Sequence, residues 1–422
     1  LSTRPYTYYD GLFDELLHNR QAYEEALLKK ANLTSEIGRQ LVLSADAYVV
    51  DRESTQGKSI IAGYPFFEDW GRDTMIALAG TTMVTGRLDE CKSILQTFAK
   101  YEHHGLLPNL FPEGDIEPMY NSVDAPLLFI NAVYEYIQAS KDTAFLPEVW
   151  DVLKRIMTAY EKGTDYHIGM DTDCLIQAGA DLEQLTWMDV RVGEYLPTPR
   201  HGKPVEINAY WYNDLEIMKQ FALLQQDSKL SQHYAELADK VKEAFLLKFW
   251  NEEENCLKDV LSGNEEENQV RCNQVWALSM PYTMLPKEKE LCVLHKIKEE
   301  LYTTAGLRTL SPRDSAFHDI YIGSMQERDR AYHQGTVWAF PLGAYYRARI
   351  KYLKQDASDM TSSYKAELAK GIEAIRYWLE EGCLGQLAEI YDGVKPTVSR
   401  GCFAQAWSVG ELLRAVYEWE QL

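Results

Sequence analysis

Along the chain, apolar positions recur three and four apart in one set of segments and fill nearly every position in another. Residues 288–301 are of the first kind, with Leu291, Leu294, Ile297 and Leu301 on one stripe; residues 363–379 repeat it with Leu368, Ile372, Ile375 and Leu379. Such helices bury one face. The second kind is seen in Ala125-Pro-Leu-Leu-Phe-Ile-Asn-Ala-Val and Thr336-Val-Trp-Ala-Phe-Pro-Leu-Gly-Ala-Tyr-Tyr, which mark helices enclosed on most sides. The two kinds alternate and predict twelve helices in six pairs: about 36–50 with 72–85, 87–103 with 122–139, 142–162 with 208–224, 230–249 with 269–281, 286–302 with 333–351, and 361–381 with 404–420. An amphipathic outer ring around an apolar inner ring follows, an all-α domain over residues 36–422. Residues 1–35 carry a polar amphipathic segment (Phe13, Leu16, Leu17, Tyr23, Leu27, Leu28) that reads as an extra helix or the tail of another domain.

Loop lengths point the same way. Inner-to-outer connections such as Thr85-Gly86 and Ser140-Lys141 are short, as between antiparallel neighbours. Outer-to-inner connections are mostly long and would open together at one end, where the partial positive charge of the inner-helix N-termini favours ionised loop carboxylates. Strands are expected only as short hairpins inside these loops.

Composition narrows the partners. A net charge of −21 argues against nucleic acid or an anionic membrane surface, whereas a neutral glycan meets no such barrier. No apolar run is long enough to span a bilayer. The seven cysteines form no C-x-x-C pair, which suits reduced thiols in a cytoplasmic enzyme. The chain opens at Leu1, which suggests a fragment of a longer polypeptide.

The rim loops carry the candidate chemistry. The first, Gly63–Gly80 (GYPFFEDWGRDTMIALAG), mixes Tyr64, Phe66, Phe67 and Trp70 with Glu68, Asp69, Arg72 and Asp73. Aromatic faces beside fixed carboxylates are what a sugar site needs. The second runs from Pro108 through Glu113-Gly114-Asp115 to Asn121 and Asp124 at a helix start, where helix capping and sugar binding both remain open. In the third, Asp189 follows Trp187 and Met188; an apolar setting would raise its pKa and suit a general acid, while a cap or a salt bridge to Arg191 are the plain alternatives. The fourth, residues 251–268, is acidic and reads as a solvated turn without a catalytic role. The fifth places His333 and Gln334 at the start of an inner helix, with no second His at ligand spacing, so no metal is expected. The sixth supplies Glu389, then Gln405 and Trp407 at the last inner helix. A second carboxylate far along the chain but on the same rim is what glycosidic hydrolysis requires, against the alternative of a surface glutamate.

Taken together, GYPFFEDWGRDTMIALAG, YNSVDAPLLF, TWMDVRVG with PRHGKPVEINAYWYN, YHQGTVW, and AEIYDG with RGCFAQAWSVGELLR resemble the C-terminal amylo-α-1,6-glucosidase domain of glycogen debranching enzymes. The resemblance implies an (α/α)6 barrel, in agreement with the helix count, and an inverting hydrolase that removes single-glucose stubs from branched α-glucan without a cofactor. It implies Asp189 as general acid and Glu389 as general base, their carboxyls roughly 6.5–9.5 Å apart. Arg72 and Asp73 would clasp the terminal glucose, and Trp70 and Trp187 would line its pocket. Glu206 of GKPVE stands as the alternative acid. Family members pair this domain with another, a transferase or a β-rich N-terminal domain, so this chain is either a part of such an enzyme or a stand-alone relative.

Fold does not fix the linkage cleaved, so a glucoamylase- or trehalase-like exo-glucosidase remains a rival. So does an inactive carbohydrate-binding barrel. An isomerase on this scaffold would rely on pocket histidines, for which His333, His201 and His318 are the candidates.

Overall fold

The computed structural model describes residues 7–112, 116–263, 265–355 and 361–422. The start of the N-terminal segment and Glu113-Gly114-Asp115 of the second loop lie outside them. The described chain is mainly helical: α1 (Leu12–Ala31), α2 (Glu36–Asp46), α3 (Gly71–Leu78), α4 (Leu88–Lys100), α5 (Ala125–Ser140), α6 (Phe145–Lys162), α7 (Val205–Leu224), α8 (Ser228–Lys248), α9 (Trp276–Ser279), α10 (Lys287–Lys296), α11 (Met325–Ala331), α12 (Phe340–Gln355), α13 (Thr361–Glu373), α14 (Ile375–Glu380) and α15 (Ala406–Glu420). A π-helical turn extends α3 (Ala79–Met83) and another extends α10 (Ile297–Leu301).

Burial follows the two sequence patterns. Every residue of α3 is buried, and α5, α7 and α15 are enclosed over most of their length. α4 and α6 bury one stripe each, Cys91, Ile94, Leu95 and Phe98 in the former and Val149, Leu153, Ile156 and Tyr160 in the latter. The enclosed helices touch in succession: α3 on α5, α5 on α7, α7 on α9, α9 on α12, α12 on α15, and α15 on α3. The one-sided helices lie against them, α4 and α6 on α5, α8 on α7 and α13 on α12. Contact between α15 and the turn extending α3 is backbone to backbone, for a Cβ at Gly80 would overlap the Gly410 carbonyl oxygen.

Three predicted features differ. The inner helix placed at 333–351 begins only at Phe340, because Val337 and Trp338 pair instead with Arg308 and Leu307 on one side and with Tyr391 and Ile390 on the other. The helix placed at 269–281 is a short turn, Cys272–Val275, leading into the four residues of α9. Strands do form a local hairpin, Val49–Arg52 with Gly57–Ile60, but others tie separate loops together. Gly63–Tyr64 pairs with Ala404–Gln405, Lys203–Pro204 with Val260–Leu261, and Leu307–Arg308, Val337–Trp338, Ile390–Tyr391 and Ser399–Arg400 form a four-stranded sheet. These ladders fix one loop against the next. Among the described residues no helix is long and apolar enough to cross a membrane.

Candidate active site

The acids of the first loop separate into two uses. Asp69 turns inward, where Arg52 (2.6 Å), Ser59 and Thr74 hold it, and burial still pushes its carboxyl up to about 6. Glu68 is exposed. Arg72 and Asp73, in the first turn of α3, face carboxylates carried by other loops. Arg72 Nε donates to Asp124 Oδ2 at 2.6 Å, Nη1 reaches Asp189 Oδ2 at 3.2 Å, and Nη2 donates to the Leu185 carbonyl at 3.1 Å. Asp124 therefore does not cap α5. That role falls to Ser122, whose Oγ accepts from the Ala125 N–H at 3.1 Å.

Three carboxyls, those of Asp124, Asp189 and Asp73, act on this guanidinium, and the charge of Glu389 acts on Asp73. Asp189 pairs with Arg72 rather than Arg191, and its side chain is 36% exposed while Arg72 and Asp124 are closed off. Solvent reaches its carboxyl tip, yet the protein packed around it leaves burial as the largest influence, and its pKa is raised with Arg72 opposing. Glu389 is 3% exposed, so it is no surface glutamate. Its Oε1 accepts from the Tyr332 hydroxyl and its Oε2 from the Cys402 N–H at 2.9 Å. Burial pushes Glu389 up to about 7, with the two donors opposing and the charge of Asp189 adding. Asp73 is pushed further, to about 8, by burial and by the charges of Asp189 and Glu389, with Arg72 opposing. Gln405 Nε2 lies 3.4 Å from Asp73 Oδ1. A carboxyl that solvent can reach and a second one buried under hydrogen-bond donors, beside an arginine, is an arrangement suited to general acid–base chemistry on a neutral ligand.

The profile of the family described as Amylo-alpha-1,6-glucosidase matches residues 43–414, most of the chain. The chain belongs to the amylo-alpha-1,6-glucosidase family. It is 25% identical to the glycogen debranching enzyme of Saccharomyces cerevisiae over 85% of its own length and 30% of that protein's. A shorter likeness, 26% identical over 39% of this chain and 21% of the relative, connects it to the mannosyl-oligosaccharide glucosidase of the same yeast. The chain thus spans under a third of the length of these curated relatives.

In this amylo-alpha-1,6-glucosidase family member the remaining predicted residues divide by environment. Trp187 is buried, donating from Nε1 to Asn273 Oδ1 at 2.7 Å and packing edge-on against His333, Trp338 and Phe340. Trp407 stacks on Phe340 at 4.3 Å. His333 lies in this aromatic cluster rather than at a helix start, and burial drives its pKa well below the ordinary value, so it is neutral. Gln334 accepts from Arg271 Nη2 at 2.8 Å and donates to the Pro197 carbonyl. Trp70 and Asn121 are half-buried. Buried polar atoms without a protein partner remain on Asn121 (Oδ1), His333 (both ring nitrogens), Gln405 (Oε1) and Trp407 (Nε1).

Glu206, 1% exposed in the first turn of α7, is held by two nitrogens of Arg200, and Arg200 also holds Asp259 through Nε at 2.8 Å. Asn273 Nδ2 donates to the same aspartate at 2.8 Å. A buried chain therefore runs from Glu206 through Arg200, Asp259 and Asn273 to Trp187, two residues before Asp189. Sequence reasoning missed Arg200, Asp259, Asn273 and Tyr332, and read the loop bearing Asp259 as a solvated turn. That loop is instead pinned by the strand pair with Lys203–Pro204. The signal available was modest: Asp259 sits between hydrophobic Leu257 and Val260-Leu261 in an otherwise acidic, polar stretch. Among the described residues no group of three His, Cys, Asp or Glu side chains is set to hold a metal ion.

Proposed function

We propose that this chain is an inverting glycoside hydrolase that releases glucose from α-1,6-linked stubs of glycogen or a related branched glucan. The observation that carries the reading is that Asp189, held by the Arg72–Asp124 pair, lies near enough to Glu389 for their charges to interact, the groups arriving from three different loops and α3. Asp189 would give its proton to the glycosidic oxygen; it is the carboxyl that solvent reaches, so a bound sugar would desolvate it and raise its pKa further. Glu389 would take a proton from water as that water attacks C1 and the C1–O bond breaks, leaving β-glucose. Donors to both its oxygens favour the ionised form that this role needs. Arg72, Asp73 and the partnerless groups of Asn121, Gln405 and Trp407 would bind the glucose hydroxyls, with Trp70 at the edge. Glu206, closed off by Arg200, serves in this reading as a support of the rim.

The cyclic order of contacts among α3, α5, α7, α9, α12 and α15, with one-sided helices outside, supports an (α/α)6 barrel over residues 36–422 preceded by an extension. All seven cysteines are free, which fits a cytoplasmic location, and the short coverage of the yeast debranching enzyme fits a partner domain beyond this chain.

The test is incubation with a phosphorylase limit dextrin trimmed to expose glucosyl stubs, and separately with maltose and trehalose, following glucose and its anomeric form. Initial β-glucose from the stubs alone is expected. Release from maltose or trehalose instead would move the activity to another exo-glucosidase class, and no release from any of the three would sink the hydrolase reading.

A further inference from the structure

We propose that Tyr332 is a positioning residue that fixes the Glu389 carboxyl for water activation and holds it as the anion, and that α11 exists to deliver it. The inference rests on the reading of Glu389 as general base. α11 buries only Ala331, and its start is closed by a reciprocal Ser324–Glu327 cap at the surface, so it adds little to the core. What it does accomplish is to place Tyr332 at its end. The Tyr332 carbonyl accepts from Trp338 Nε1 at 3.1 Å and from the Thr336 hydroxyl, and its ring packs on Trp338 at 5.0 Å, His333 at 4.7 Å and Tyr321 at 5.7 Å. From that fixed seat the hydroxyl donates to Glu389 Oε1 while the Cys402 N–H donates to Oε2. The carboxyl is gripped at both oxygens, by Tyr332 from the fifth loop and by Cys402 from the returning limb of its own loop.

The titratable and charged groups that face Glu389 are Tyr332 and Tyr321 from the fifth loop, Asp189 from the third, Asp73 with Arg72 beside it from α3, and Cys402 from the sixth. Burial and the charge of Asp189 push Glu389 toward protonation. The Tyr332 hydroxyl and the Cys402 amide oppose them. Removing the hydroxyl leaves burial and Asp189 less opposed.

Tyr332→Phe is therefore expected to lower kcat roughly tenfold, leave KM nearly unchanged, and move the acid limb of the kcat/KM profile upward by about one pH unit. A fluorotyrosine at position 332 keeps the shape, makes the hydroxyl a stronger donor, and is expected to move the limb downward. In a Glu389→Gln background the phenylalanine change should cost almost nothing further. The same pH shift should appear in the binding of 1-deoxynojirimycin, a cationic glucose mimic that senses the carboxylate without turnover, so the result stands apart from whether the stub reaction is found. A fall in rate with the pH limb and the inhibitor profile unmoved in both variants would reduce Tyr332 to packing and overturn the proposal, as would wild-type kinetics throughout.

Discussion

One guanidinium is divided between two carboxylates: Arg72 donates to Asp124 at 2.6 Å through Nε and reaches Asp189 at 3.2 Å through Nη1. Asp124 is closed off from solvent and Asp189 is not, so Asp124 neutralises the arginine while Asp189 keeps a face free for a ligand. Replacing Asp124 by Ala strips a buried cation of its closest partner, which typically costs about 3–5 kcal/mol. Urea denaturation should show that loss, with Asp124→Asn falling between the variant and the parent because the amide oxygen still accepts from Arg72.

The two acid candidates make opposite predictions. Asp189→Asn is expected to lower kcat by several orders of magnitude with an unchanged melting temperature, since the amide keeps its place beside Arg72 but carries no proton to give. Glu206→Gln breaks the grip of Arg200 on a fully buried carboxylate, and should cost about 3–5 kcal/mol of stability while the folded protein keeps activity within an order of magnitude. Paired measurements of Tm and kcat separate them. A stable but inactive Glu206→Gln protein would transfer the acid role to Glu206.

Why the helices could be read from the sequence and parts of the site could not follows from range. An enclosed helix such as α5 declares itself by being apolar on all sides, and a one-sided helix such as α6 by its stripe; both are properties of a few consecutive turns. The start of α12 is not legible in the sequence because the apolar run Val337-Trp338-Ala339-Phe340 suits a buried strand as well as a buried helix, and the choice is made by Leu307–Arg308 and Ile390–Tyr391, distant in the chain. Asp69 and Asp73 look alike in sequence. Their partners differ: Arg52 of the preceding hairpin takes Asp69, whereas Asp73 faces Asp189 and Glu389. Trp187 reads as a pocket wall beside Asp189, yet the structure buries it, because Trp338, Phe340 and Asn273 arrive from other loops to enclose it.

Glu389 should make stability and activity respond to pH in opposite directions. Burial raises its pKa from the ordinary 4.5 to about 7, so the folded state binds the proton more tightly than the unfolded state. The resulting stability is fully present below pH 4.5 and is lost as pH rises through 7, on the order of 3 kcal/mol in all. Glu389→Gln is always neutral. It should match the parent in denaturant resistance near pH 4.5 and exceed it at pH 8, while being inactive at both. In the parent, kcat/KM should fall as pH drops below about 7, where the base becomes protonated.

The last prediction concerns the seat of the same carboxyl. Gly401 has φ of +64°, and a Cβ at this position would overlap Glu389 Oε2, the oxygen that accepts from the neighbouring Cys402 N–H. Gly401→Ala therefore imposes two penalties: about 1–2 kcal/mol for a left-handed alanine, and a displacement of the base from its two donors. Gly263 separates the two, since its φ is +79° and nothing lies within 4 Å of a Cβ built there. Gly263→Ala should lose stability by a similar amount and keep wild-type kcat. Gly401→Ala should lose that stability and, because a misplacement of about 1 Å in a reacting group is enough, at least about a hundredfold in kcat with KM little changed. Equal kcat values in the two variants would show that the Glu389 carboxyl tolerates displacement, and would remove the geometric basis for its role as the base.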